Sequence, residues 1–451
     1  EVFVLKKSLT TQETIAITSM LFGMFFGAGN LIFPAKVGID AGANMWPAIL
    51  GVCVSAVGIP MLSIVALGLS KSSGLQDMAD RVGKKYSVIF TALLYLTIGP
   101  LFAAPRCAST SFAVGAVNLI KGANEQLCLA IFSFLFFAAV LYFSLRPGRI
   151  MDWIGKILNP LFLVFLGVLI AVGLMHPINS IDAIKPVAEY GETGTAFFKG
   201  IIEGYNTLDA IAGLAFGILV IDVVKGLGVK EPGDVAVATA KAGVFSCVLM
   251  GIIYIFITLV CAQSAAICKG VTNGGAILGL IANHYFTTAG AIVMTGIVTF
   301  ACLKTAIALL SSNARAFERM FPNGPSYERW IIFFSIVSFG IANLGLTTIV
   351  AWCIPVLMFL YPPTITLILL ALFENYFDKS KSVYVWTTVF TVFAAIFDLL
   401  GVINGMVPDV GFVKSAVAFA SNVFPFYSLG LGWIVPSIIG FCVGMILKKK
   451  S

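Results

Sequence analysis

Three groups of residues in this chain are able to do chemistry. The first is Gly23-Met24-Phe25-Phe26-Gly27-Ala28-Gly29-Asn30, followed by Pro34. The second is Glu203-Gly204-Tyr205-Asn206-Thr207-Leu208-Asp209, a polar patch set between Ile201–Ile202 and an apolar run over 210–218. The third is a pair of isolated basic residues, Arg106 and Lys304, inside otherwise apolar stretches. Glycine at 27 and 29 lets the backbone leave helical angles and approach a ligand closely. A helix interrupted there frees N–H groups at the start of its second half, which suit an anion. It also frees carbonyls at the end of its first half, which suit a cation. A lone Gly-x-x-x-Gly such as Gly23–Gly27 would serve helix packing. A matching interruption about 177 residues further on, carrying two carboxylates, points instead to a binding site shared by two broken helices.

The elements that must carry these residues follow from composition. Of 451 residues, 59% are hydrophobic and 11% charged, and mean hydropathy is +1.01. Soluble domains carry about 25% charged residues. An integral membrane protein is implied, whereas disordered, collagenous, coiled-coil and disulfide-scaffold classes are excluded. The 44 glycines and 18 prolines are tolerated in membrane helices. Twelve apolar segments are expected near 12–36, 46–69, 86–117, 125–144, 150–174, 195–224, 236–262, 286–314, 329–350, 353–373, 383–405 and 428–447. Each is long enough for one span of about 20 residues. The first is expected to be a retained span, since no processing site accompanies it. The two interruptions fall in the first and sixth segments, the opening helix of each of two five-helix blocks. The nine cysteines are scattered without a C-x-x-C pair and read as small hydrophobes.

Charge orients the expected bundle. With the N-terminus in the cytoplasm, twenty basic residues fall in inside segments, among them Lys6, Lys71, Lys84, Lys85, Arg149, Lys225, Lys230, Lys379, Lys381 and Lys448–Lys450. Six (Lys36, Lys121, Lys185, Lys199, Lys269 and Lys414) fall outside. The positive-inside rule then places both termini in the cytoplasm. The net charge of +7 is thereby explained without a nucleic-acid partner. No obligatory protein partner is inferred. A P-loop, G-x-x-x-x-G-K-[ST], is missing, which excludes an ATP-driven pump, and there is no H-E-x-x-H for a membrane-embedded metalloprotease. An ion channel would need a ring of subunits around a pore-loop filter, whereas two internal breaks allow one chain to form its own site.

Several segments carry a family resemblance. They are Phe25-Phe-Gly-Ala-Gly-Asn-Leu-Ile-Phe-Pro34, Tyr95-Leu-Thr-Ile-Gly-Pro100 with Ala104-Pro-Arg106, and Glu203-Gly-Tyr205 with Thr207 and Asp209. Asn343-Leu-Gly-Leu346, Pro355-Val-Leu-Met358 and Tyr361-Pro-Pro363 complete the set. In order and over nearly the whole chain they resemble the branched-chain amino acid:cation symporters, the BrnQ family of the amino acid–polyamine–organocation superfamily. The resemblance implies an all-α membrane protein with a LeuT-like fold in one domain over 1–451. Twelve transmembrane helices would form a 5+5 inverted repeat, about 12–174 and about 195–373. Helices 1 and 6 would be broken, and helices 11 and 12 (about 383–447) accessory. It implies secondary transport of leucine, isoleucine and valine through a bacterial cytoplasmic membrane by alternating access, with no enzymatic activity and no cofactor beyond a coupling cation.

The resemblance also assigns roles. Backbone N–H groups of Gly27, Ala28 and Gly29 would take the substrate α-carboxylate. Carbonyls of Phe25 and of the Glu203–Gly204–Tyr205 stretch would take the α-ammonium. Asn30, by its amide oxygen, would ligate Na+, with Thr207 as a partner. A second cation site would use carbonyls of Gly23, Phe26 and Ala301, position 304, and the Thr305 hydroxyl. Positions 301, 304 and 305 share one helical face. The family usually has a small uncharged residue where Lys304 stands, and a Lys at membrane depth is a functional-site hypothesis. Either its ammonium replaces the cation, making an ion-independent exchanger or uniporter the alternative function, or it snorkels to water or pairs with a carboxylate such as Asp209. Glu203 and Asp209 are separated by about 240° round an ideal helix. Pairing of either with Arg106, Lys304 or the substrate ammonium stays open, and Asp209 and Arg106 are the coupling or gating candidates.

Overall fold

The structure is a computed structural model that describes residues 7–114, 124–146, 156–157, 159–271, 273–407 and 410–448. The ends of two expected segments, 115–117 and 150–155, and Lys6, Lys121, Arg149, Lys449 and Lys450 lie outside the described residues.

Local sequence starts the first helix firmly. Thr10 Oγ1 accepts the Glu13 N–H at 3.2 Å while Glu13 Oε2 accepts the Thr10 N–H at 2.8 Å, a reciprocal cap. Helix α1 (Thr11–Phe25) then runs until Phe26 and Gly27 leave the helical region, at φ/ψ of −75°/94° and −128°/−150°. Helix α2 (Ala28–Ala41) resumes beyond them, with Pro34 inside it. The chain continues through α3 (Met45–Cys53), a π turn at Val54–Gly58 and α4 (Ile59–Leu69), then the short α5 (Leu75–Ala79). Next come α6 (Lys84–Leu96), a second π turn around Gly99–Pro100, α7 (Ala103–Val114), α8 (Glu125–Ser144) and α9 (Asn159–Met175). The second interruption separates α10 (Thr193–Tyr205) from α11 (Asp209–Gly226), with Leu208 left-handed at φ 72°. Helices α12 (Pro232–Ala262), α13 (Gly274–Met320), α14 (Tyr327–Ala342), α15 (Leu346–Leu372), α16 (Lys381–Met406), α17 (Gly411–Val423) and α18 (Ile434–Ile446) complete the chain. Among the described residues every regular element is helical.

Among the described residues seven helical stretches are long and apolar enough to cross a membrane, and α9 and α18 are shorter apolar helices. Three expectations are corrected. The 286–314 segment is the second part of α13, which begins at Gly274 and bends at Thr287 (φ 59°). The boundary expected near 351–352 lies at Asn343–Gly345, where Gly345 turns at φ 84° and α15 runs unbroken through Pro355, Pro362 and Pro363. A connecting segment holds an unexpected helix, α17.

Packing fixes the two broken helices against the rest. Gly200 and Gly204 of α10 lie directly on Ala48 and Ser55 of the α3–π segment, and Gly51 of α3 lies on Phe197. This is a small-residue seam of the kind that lets membrane helices approach closely. On the other side, α12 lies against α1, α2 and α4, and α13 against α7, α2 and α8. Thr258 Oγ1 of α12 donates to the Pro34 carbonyl at 3.1 Å, tying α12 to α2.

Candidate functional site

The two interruptions meet. Phe25, Gly27, Ala28, Gly29 and Asn30 from the α1–α2 break line one cavity with Thr207, Leu208 and Asp209 from the α10–α11 break. Arg106 of α7 and Thr305 of α13 close its walls. The enclosed space is about 20 Å³, room for about one water molecule. The site is therefore shut on its own side chains, and admitting a small organic molecule requires the helices to part.

Both half-helix ends of the second interruption carry the charge that the dipole favours. At the end of α10, Arg106 Nη1 donates to the Asn206 carbonyl at 2.8 Å and Nη2 to the Thr207 carbonyl at 3.4 Å. The guanidinium also sits 5.3 Å over the Phe33 ring. These bonds hold the strained turn at Leu208. At the start of α11 stands Asp209, 1% exposed. Asn30 Nδ2 donates to both of its oxygens at 2.9 and 2.8 Å, Tyr254 OH donates to Oδ2 at 2.6 Å, and Asn30 Nδ2 also donates to Tyr254 OH. Asp209 N–H reaches Thr207 Oγ1 at 3.4 Å. A buried carboxylate is tolerated only when its lone pairs are met. Here neutral donors and the nearby positive end of a helix do so, and among the described residues no cation is in hydrogen-bond contact. Asn30 Oδ1 accepts the Gly27 N–H at 2.9 Å, so the amide bridges the first break to the second.

Gly23, Phe26, Ala301, Lys304 and Thr305 form a second cluster just behind this one. Thr305 Oγ1 donates to the Gly23 carbonyl at 3.3 Å, and a Cβ on Gly27 would lie 2.8 Å from Thr305. Lys304 is fully buried. Its Nζ donates to Asn159 Oδ1 at 2.8 Å and sits 4.3 and 5.4 Å over the Phe162 and Phe22 rings. Asn159 Nδ2 in turn donates to the Ser19 carbonyl and hydroxyl at 3.1 and 3.0 Å. The snorkelling reading for Lys304 is overturned by this burial, and its polar contact is a carboxamide rather than Asp209. Phe26 turns its ring to Phe22, Phe162 and Tyr254, and Ala301 is buried in α13.

Glu203, Gly204 and Tyr205 stand apart from the cavity. Glu203 Oε2 accepts from Asn206 Nδ2 at 3.0 Å, and Oε1 lies 3.7 Å from Lys199, which also pairs with Glu189 at 2.6 Å. Pairing of Glu203 with Arg106 or Lys304 is thus replaced by pairing along its own helix. Tyr205 stacks on Tyr361, with ring centroids 4.1 Å apart. Sequence reasoning missed Tyr254 and Asn159. The only sequence signal for Tyr254 is a lone hydroxyl-bearing ring amid the long apolar run of α12. Asn159 signals itself only as an amide before a proline at the head of an apolar run.

A sequence model of the family described as branched-chain amino acid transport protein matches residues 10–451. The branched-chain amino acid permease BrnQ of Lactobacillus delbrueckii subsp. lactis is 46% identical over 452 residues, covering 99% of this chain and 100% of its own. The permease BrnQ of Bacillus subtilis strain 168 is 36% identical over 444 residues, 98% of each chain. Among solved structures, Mhp1, a nucleobase-cation-symport-1 family transporter closed on bromovinylhydantoin, matches with a TM-score of 0.60 at 15% identity, over 96% of this chain and 91% of that one. A substrate-bound, outward-open Na+-coupled sialic acid symporter matches with a TM-score of 0.64 at 12% identity, over 97% and 90%. At such identities the likeness is one of fold.

Proposed function

The chain belongs to the family of branched-chain amino acid transport proteins, multi-pass membrane proteins and not enzymes, and from that premise we propose that it imports leucine, isoleucine and valine by cation-coupled alternating access. The observation that carries this reading is the meeting of the two breaks at Gly27–Asn30 and Thr207–Asp209 around one closed cavity. A zwitterion needs donors for its carboxylate and acceptors for its ammonium. The N–H groups of Ala28 and Gly29 supply the first, at the positive end of α2, joined by that of Gly27 once it leaves Asn30 Oδ1. The Phe25 carbonyl and Asp209 supply the second. Apolar Ile98, Ala212 and Phe216 line the same cavity and suit a branched aliphatic side chain.

The proposed architecture is the LeuT-like 5+5 inverted repeat of twelve spans, about 12–174 and 195–373, with accessory helices over 383–447. It lies in a bacterial cytoplasmic membrane with both termini inside. The coupling cation acts at the Asn30–Asp209 cluster, as a proton on Asp209 or as Na+ held by oxygens of Asp209 and Thr207 and by Asn30 Oδ1 once the amide turns from the Gly27 N–H. Lys304, next to Thr305 in sequence, supplies a fixed positive charge beside the second cation position, with its Nζ on Asn159 Oδ1 rather than at the Thr305–Gly23 contact. The test is leucine uptake into proteoliposomes under an imposed Na+ gradient and, separately, a proton gradient, on wild type and Lys304→Thr. Gradient-driven leucine uptake supports the reading, and sodium stimulation that arises only in Lys304→Thr supports the role of Lys304. Absence of leucine uptake under either gradient overturns the reading.

A further inference from the structure

At the end of the bundle where α4 and α11 finish and α12 begins, a cleft of about 140 Å³ is lined by Lys71, Lys225 and Lys230, with Ser72, Ser73 and Thr239 between them. Orientation of a membrane protein requires only that basic residues lie on one side. It does not require three of them, from three separate elements, to face one cleft. No carboxylate lines it. Of the acidic groups near it along the chain, Asp77 is occupied by the Ser73 N–H at 2.9 Å and the Ser73 hydroxyl at 3.3 Å, Asp222 pairs with Arg319 at 2.8 Å, and exposed Glu231, beside Lys230, is not among the lining residues. Arg81, behind the cleft, donates to the Ser70 carbonyl at 2.9 Å and to Ser72 Oγ at 3.4 Å, and its charge is met by Glu374. Lys71 and Lys225 thus line an opening that, among the described residues, no carboxylate lines.

A second observation is independent of charge. Thr239 of α12, at the cleft wall, is 1% exposed, and its hydroxyl has no hydrogen-bond partner among the described residues. A Thr in a helix ordinarily returns its hydroxyl to the carbonyl four residues back, as Thr364 and Thr387 do here. A buried hydroxyl left unmatched is destabilising, and a ligand oxygen would remove that penalty. Lys71 is held at φ 52°, a backbone region a side-chain-bearing residue rarely adopts.

We propose that this cleft binds a phosphate group, with Lys71 and Lys225 as the charge partners and the Thr239 hydroxyl as the neutral one. Basic pockets between membrane helices take anionic headgroups by this chemistry. Two sources share it, the phosphodiester of an anionic phospholipid and free phosphate.

The experiment uses the purified full-length chain in a neutral detergent. Melting temperature is followed against inorganic phosphate at ionic strength matched with chloride. Retention of phosphatidylglycerol over phosphatidylcholine of the same acyl chains is measured in parallel. A saturable rise with phosphate assigns the free anion, and selective retention of phosphatidylglycerol assigns the lipid headgroup. In either case Lys71→Gln/Lys225→Gln is expected to weaken the effect at least tenfold, and Lys71→Arg/Lys225→Arg to retain it. Thr239→Val, which keeps every charge, is expected to weaken it several-fold. The proposal is overturned if neither arm distinguishes phosphate-bearing from control ligand in the wild type. It is equally overturned if Lys84→Gln/Lys85→Gln loses as much as the cleft variant, or if Thr239→Val binds as the wild type does.

Discussion

Gly29 is the position where one added methyl group tests the site most sharply. A Cβ built there lies 2.5 Å from Arg106 Nη2 and 3.1 and 3.2 Å from the Thr207 carbonyl oxygen and Cα. The backbone of Thr207 cannot give way without moving the α10–α11 break, so in Gly29→Ala the guanidinium is displaced. Arg106 then loses its 2.8 Å bond to the Asn206 carbonyl, a charge-assisted bond worth about 1.5–3 kcal/mol. That bond helps to hold Leu208 in the left-handed region, itself a strain of about 1–3 kcal/mol. At 1.36 kcal/mol per tenfold, Gly29→Ala is expected to weaken leucine binding roughly ten- to hundredfold in equilibrium binding to the purified protein. A control is available in Gly167→Ala on α9, where nothing lies within 4 Å of the added carbon; its leucine affinity should stay within about twofold of the wild type. Both variants should elute as the wild type does. Leucine affinity in Gly29→Ala equal to that of Gly167→Ala would refute the argument that Arg106 and Thr207 shape the binding site.

Three further outcomes follow from the same geometry. Tyr254→Phe removes the 2.6 Å hydroxyl bond to Asp209 and leaves a buried carboxylate short of a donor, at about 1–3 kcal/mol. Gradient-driven leucine uptake should fall about tenfold or more with expression intact, and unchanged uptake would remove Tyr254 from the site. Asn159→Leu deprives buried Lys304 of its 2.8 Å acceptor, so the melting temperature should drop by several degrees. Lys304→Met/Asn159→Leu should recover much of the loss, because an apolar pair replaces a half-broken polar one; a single variant as stable as wild type would contradict the pairing. Glu203→Gln breaks a contact at 3.7 Å with a partly exposed Lys199, a class of pair worth about 0–1 kcal/mol. Its uptake should stay within a few-fold of wild type, and a loss as deep as that of Tyr254→Phe would return Glu203 to the binding site.

The breaks were legible because glycine and a polar cluster are costly inside apolar helices unless something uses them, and Gly27 and Leu208 are where helical angles fail. Asn30, Thr207, Asp209 and Arg106 fall together for the same reason, since each is a polar group that must find a partner at depth. What the sequence left open was the choice between partners. Glu203 turns to Lys199, four residues back on its own helix, a local pair that competes with every distant cation, whereas Asp209 finds its donors on other helices. Tyr254 and Asn159 reach Asp209 and Lys304 across 45 and 145 residues, and neither stands out from a packed aromatic or an ordinary amide at a helix start. The α14–α15 boundary was misplaced because Pro355, Pro362 and Pro363 suggest ends in water but are accommodated in a buried helix, while Gly345 makes the actual turn.

The central claim is that Asp209, held between the two breaks by Asn30 and Tyr254, couples cation movement to branched-chain amino acid import. The most direct measurement is radiolabelled leucine movement in proteoliposomes carrying wild type or Asp209→Asn, by gradient-driven accumulation and by counterflow against internal leucine. Wild type should accumulate leucine with competition by isoleucine and valine, and Asp209→Asn should lose accumulation while retaining counterflow. Accumulation by Asp209→Asn equal to that of the wild type would contradict the claim.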